Sequence, residues 1–131
     1  MTSIDTLPKP TSLELARTIA EAADERKAGD IVLLGVAEVS YLADYFAIAT
    51  GFSQTQVRAI SDSIEQKVLE KYNLHPLRTE GKSQGNWILQ DYGDVIVHIL
   101  LPEEREYYNL EAFWGHAKRI NFSVTSEKVG E

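Results

Sequence analysis

The chain has 131 residues, a length that fits one domain of the usual size, about 100–150 residues. Its composition, 44% hydrophobic and 25% charged, excludes a wholly disordered or collagen-like chain. The absence of cysteine excludes disulfide frameworks, thiolate zinc sites and cysteine nucleophiles, and the formal charge of −7 speaks against a phosphate-backbone binder. No quarter of the chain is net positive, so little direct nucleic-acid contact is expected and an acidic surface suits a basic protein partner better. The opening segment MTSIDTLPKP holds no apolar signal stretch. The longest strongly apolar run, Val95 to Leu101, contains His98 and is too short to cross a bilayer. A soluble, cytoplasmic protein without membrane contact is the expectation.

Residues 1–10 carry two prolines and no periodic pattern, and read as a mobile tail. Thr11 and Glu14 have capping-box spacing, so a helix is expected to start there, with Leu15, Ile19, Ala22 and Ala23 on its buried stripe. Gly29 is the expected helix stop. Ile31 to Val36 and Asp44 to Thr50 read as two strands, and the short link between them suggests an antiparallel pair. Ser53 and Gln56 repeat the capping spacing ahead of a helix that reaches about Lys71, with Val57, Ile60, Ile64 and Val68 along one face. Leu77 to Glu80 is a short third strand, and the polar Gly81 to Gly85 is a loop. Trp87 to Asp91 and Asp94 to Leu101 read as a hairpin turning at Tyr92-Gly93. Pro102 opens a final helix with Glu103, Glu104 and Glu106 near its positive end. Tyr107, Leu110, Trp114 and Ala117 would share its apolar face. Residues 121–131 read as a second tail, leaving 11–120 as the single domain. The expected architecture is a mixed α/β fold with about five strands, largely antiparallel, and helices mainly on one face.

The last hairpin carries most information. A two-residue turn at Tyr92-Gly93 would set Asp91 opposite Asp94, Leu89 opposite Ile96 and Trp87 opposite His98, all on one face. Ile88, Gln90, Val95, Val97 and Ile99 lie on the other. Both faces are then substantially apolar with three helices to cover them. Either helices cover both, or the Trp87 face is an interface.

Motifs for other chemistry are weak. Asp91 and Asp94 flank a turn, where aspartate serves turn geometry, and no third carboxylate sits at a metal-binding spacing. His75, His98 and His116 form no zinc spacing. Gly51-Phe52-Ser53 precedes a helix, and capping explains Ser53 without a ligand. Glu80 to Gly85 imitates a phosphate loop but lacks the following helix. No catalytic residue, metal or cofactor is expected.

Several segments together resemble one family. DYFAIATGFSQTQVRAI (Asp44 to Ile60), Glu80-Gly81 followed by Trp87-Ile88-Leu89, DYGDVIVHIL (Asp91 to Leu100) and REYYNLEAFW (Arg105 to Trp114) match, in order, the signatures of the ribosomal silencing factor family, RsfS or Iojap. Phe113 replaces the more usual leucine. The resemblance covers roughly residues 12–117. It implies a nucleotidyltransferase-like fold without nucleotidyl transfer, since no D-x-D pair follows Gly51-Phe52-Ser53. It implies binding to the large ribosomal subunit through ribosomal protein fourteen, steric exclusion of the small subunit and lowered translation. It also implies a possible homodimer. Trp87 is the strongest partner-binding position that the resemblance carries over, with Leu89, Asp94, His98, Arg105 and Tyr108 beside it. Ile96 joins them from the hairpin pattern. A large-subunit assembly factor using the same surface is the alternative, and an enzyme of the nucleotidyltransferase type is a more remote one.

Overall fold

The structure, a computed structural model, describes residues 9–38, 42–115 and 117–120. Helix α1 spans Ser12–Glu25, and its capping box closes as expected: Thr11 Oγ1 accepts from the Glu14 N–H at 3.1 Å, and Glu14 Oε1 accepts from the Thr11 N–H at 2.9 Å. Strands β1 (Gly29–Gly35) and β2 (Tyr45–Thr50) follow, then helix α2 (Gln54–Tyr72). Strand β3 is Arg78–Glu80, β4 is Trp87–Asp91 and β5 is Val95–Leu100. The chain continues through short helices α3 (Pro102–Tyr108) and α4 (Leu110–Phe113) to strand β6 (Lys118–Ile120).

The six strands form one sheet in the order β3-β4-β5-β2-β1-β6. All neighbours are antiparallel except the central pair, β2 and β5, which run parallel from Tyr45↔Val95 to Thr50↔Leu100. Alternation sorts the sheet into two faces. Leu33, Ala47, Ala49, Ile88, Val95, Val97 and Ile99 pack with α1 and α2 in the main core. Leu34, Phe46, Ile48 and Leu100 form a smaller cluster on the other face, bordered by Trp87, Ile96, Leu110 and Trp114. The two long helices thus cover one face, and the short α3–α4 segment lies over part of the other. Buried Gln90 ties β4 to α2 by donating to Ser61 O at 3.1 Å and to Ser61 Oγ at 3.0 Å.

Five expectations need correction. The sheet has six strands, because Lys118–Ile120 adds to β1 at Gly35, Leu34 and Leu33. The last helix is broken by Asn109, whose φ of 46° is a left-handed conformation that asparagine tolerates. Tyr107 is consequently not on a buried face; it is 81% exposed. The first helix is stopped by Lys27 at φ 60°, while Gly29 begins β1. The hairpin turns one residue later than expected. The Tyr92 N–H donates to Val95 O at 2.9 Å, so Gly93-Asp94 is the two-residue turn, with Gly93 at φ 90°. Asp91 Oδ1 accepts from the Gly93 N–H at 2.8 Å and stabilises that turn. The register becomes Asp91↔Ile96, Leu89↔His98 and Trp87↔Leu100. Moving the turn by one residue moves each partner by two, so the faces themselves are unchanged. His116 and the tails 1–8 and 121–131 lie outside the described residues.

Ile64 is fully buried on the α2 face toward the sheet. Ile64→Ala is expected to cost about 3 kcal/mol in chemical denaturation, through lost transfer energy and the cavity left behind.

Candidate functional site

Trp87 and Leu89 project from β4 onto the face opposite α1 and α2, where neither is fully buried. Beside them lies an open groove of about 440 Å³, lined by Glu80, Gly81, Gln84, Asn86, Trp87, Leu89, Glu104 and Tyr108. Its floor is aromatic and aliphatic. Its rim carries two carboxylates and two amides. This is the composition of a protein contact with an apolar centre and a polar rim.

Both walls are held from elsewhere in the fold. The 81–86 wall is fastened to α2. Arg58 donates to the carbonyls of Lys82 at 3.0 Å and Ser83 at 2.7 Å, Gln54 donates to Asn86 Oδ1 at 2.7 Å, and Lys82 pairs with Asp62 at 2.9 Å. Gly81 sits at φ 85° with its backbone against β4, and a Cβ there would lie 2.0 Å from the Trp87 carbonyl oxygen. The opposite wall is α3, where Tyr108 packs against Trp87 with ring centroids 4.7 Å apart and the ring planes tilted by 54°, and is itself 49% exposed.

No residue of helix α3 is fully buried, and besides the Tyr108–Trp87 contact Arg105 bonds it to β2 and α4. The Arg105 side chain is 12% exposed and inserts under the helix break. Its Nη1 donates to Thr50 Oγ1 at 2.8 Å, and Nε and Nη2 donate to Glu111 at 3.2 and 2.8 Å. This fork-to-carboxylate pairing holds the Glu111 carboxyl below its usual range.

His98 lies beneath the floor. It is 7% exposed, and its Nδ1 accepts from Trp87 Nε1 at 3.2 Å. Phe46 packs edge-on against it at 5.4 Å. Burial lowers its pKa from 6.5 to about 4, so the ring is neutral at ordinary pH.

The structure therefore divides the expected site residues into three groups. Trp87, Leu89 and Tyr108 line the groove. His98 and Arg105 lie behind it, bonded to other parts of the chain. Ile96 borders the smaller cluster farther along the hairpin, and exposed Asp94 sits in its turn, beyond the far end of a strand about 13 Å long. Sequence reasoning missed Glu80, Gln84 and Asn86 as lining residues. The Gly81-to-Gly85 loop signal marked this segment without saying which way it folds.

Two tests follow from these bonds. In the unfolded chain His98 binds a proton near pH 6.5, but in the folded chain only near 4. As pH falls through that window the unfolded state takes up the extra proton, so stability falls, levelling off below about 4. The shift corresponds to about 3 kcal/mol, and denaturation of a His98→Asn variant at pH 7 and pH 4 should lack that part of the acid loss. Arg105→Met takes the donor from Thr50 Oγ1 and leaves Glu111 with the longer Arg119 contact at 3.6 Å. It is expected to cost about 2 kcal/mol and to raise the Glu111 titration, both measurable by denaturation and carboxylate NMR.

Comparison with known proteins gives a consistent answer. Residues 9–131 match the family model described as ribosomal silencing factor during starvation. The ribosomal silencing factor RsfS of Halalkalibacterium halodurans is 40% identical over 107 residues, covering 82% of this chain and 91% of that one. A crystal structure of a Chromobacterium violaceum protein superposes with a TM-score of 0.77 at 36% identity, covering 81% of this chain and 88% of that one. More distantly, the mouse mitochondrial assembly of ribosomal large subunit protein 1 is 32% identical over 69% of this chain and 40% of its own length.

Proposed function

The chain belongs to the ribosomal silencing factor family, and on that premise we propose that it binds the large ribosomal subunit and blocks joining of the small one, so repressing translation. The contact we assign is with ribosomal protein fourteen. The observation that carries this reading is the half-covered Trp87–Leu89 groove. Its aromatic floor is suited to anchor a partner, and its walls are already in place before binding. Trp87, Leu89 and Tyr108 make the central contact. Ile96 and Asp94 extend it along the hairpin, while His98 and Arg105 support it from behind. The net charge of −7 and the carboxylates Glu80 and Glu104 on the rim favour a basic protein surface. A protein bound firmly on the joining face represses by occupying space, without chemistry.

The mouse relative, named for mitochondrial assembly of the ribosomal large subunit, favours a second reading, an assembly role on the same large subunit. Both readings use one contact and differ in the state of the subunit that is bound.

Co-sedimentation with separated ribosomal subunits tests the proposal. The folded protein should pellet with the large subunit and prevent its pairing with the small one. Trp87→Ala should weaken binding by about 2 kcal/mol or more, roughly thirtyfold. Asp94→Lys should weaken it several-fold by placing like charges together, mainly through slower association. Failure of the intact protein to bind large subunits would overturn the proposal. Preference for immature over mature subunits would favour the assembly reading.

A further inference from the structure

We propose that His98 is a positioning residue: it fixes the Trp87 indole through Nδ1, so that Trp87 meets a partner through its ring and not through its N–H. The part concerning a partner rests on the function proposed above; the part concerning the indole does not. Trp87 Nε1 donates to His98 Nδ1 at 3.2 Å, and the two rings lie 5.9 Å apart at 54°. An indole has one donor, so this bond uses all of its hydrogen-bonding capacity. An accepting Nδ1 places the remaining imidazole proton on Nε2.

The clamp is closed on several sides. Tyr108 packs at a tilt against Trp87 at 4.7 Å, and Phe46 packs edge-on against His98 at 5.4 Å. In the sheet, Ile48 of β2 pairs with His98 from one side and Leu89 of β4 from the other. The groups that β2 and β4 bring to the imidazole are therefore Phe46, Ile48, Trp87 and Leu89, none of them charged, and the titratable Tyr108 of α3 lies across Trp87. Burial alone disfavours the charged ring, which preserves the acceptor at ordinary pH. With its N–H engaged and Tyr108 packed at a tilt against it, Trp87 offers an apolar and π surface. The partner group facing it is then an apolar or cationic side chain, not a hydrogen-bond acceptor.

The test uses the full ¹⁵N-labelled chain at neutral pH. The chain has two tryptophans, and Trp87→Phe identifies which indole signal belongs to Trp87. In the native protein that N–H should exchange slowly with solvent, and the His98 ring should show an unprotonated Nδ1. His98→Asn, which keeps an oxygen acceptor near the Nδ1 position, should retain the signal. His98→Leu should shift it and speed its exchange about tenfold. In co-sedimentation, His98→Leu should weaken large-subunit binding about five- to tenfold and His98→Asn about twofold at most. A protonated Nδ1, an unmoved indole signal in folded His98→Leu, or equal binding loss in both variants would overturn the proposal. If His98→Leu does not fold, the native ring spectrum and His98→Asn decide. If the native protein does not bind large subunits, the proposed function fails, while the indole and ring spectra still decide the positioning role.

Discussion

The central constraint is the parallel pairing of β2 with β5. Six consecutive residues of each strand lie in register, from Tyr45↔Val95 to Thr50↔Leu100. Parallel strands need a crossover, and the chain between them supplies α2, the longest helix among the described residues, together with β3 and β4. The pair is buried on both faces, which is why the two strands read as nearly unbroken apolar runs, FAIA and VIVHIL. Two polar side chains interrupt those runs on the less covered face. Thr50 ends β2 and receives Arg105; His98 sits inside β5 and receives Trp87. The register that builds the core therefore also places both anchors of the groove.

The groove depends on long-range contacts more than on its own lining. Arg58 and Gln54 reach from α2 to hold the 81–86 segment, and Arg105 reaches beneath α3 to Thr50 and Glu111. Neither wall has an apolar core of its own. Ordering these segments in the free protein removes a cost that would otherwise fall on binding. It also means that a substitution at Arg58 or Arg105 can weaken a partner contact without touching the partner. Loss of binding in such a variant is informative only beside a measurement of stability.

Local rules made much of the fold legible. Capping spacing at Thr11 and Ser53 marked both long helices, and period-two alternation marked the two faces of the last hairpin. The face assignment survived a mistaken turn because a one-residue displacement of the turn preserves parity. Non-local pairing was not legible. Strand β6 is three residues long, two of them charged, and carries no alternation to detect. It forms because β1 presents an edge. The broken last helix had a local sign in Asn109, but apolar periodicity across the break argued for continuity. Of the site, Trp87 and Leu89 were visible as large apolar residues on a face short of cover. The rim was not, because the course of the 81–86 loop is set by α2, about 25 residues earlier in the sequence.

The broken helix also changes how Arg105 is understood. Six residues separate Arg105 from Glu111, a spacing that does not bring side chains together on one face of a continuous helix. The left-handed turn at Asn109 brings them together and makes a two-point contact possible. The apparent defect in the helix is thus what lets one guanidinium join α3, α4 and the end of β2. That junction holds Tyr108 against Trp87 from above, as His98 holds the indole from below. An aromatic anchor fixed on both sides loses little further freedom when a partner covers it. Its contribution to binding can therefore approach that of its full buried surface.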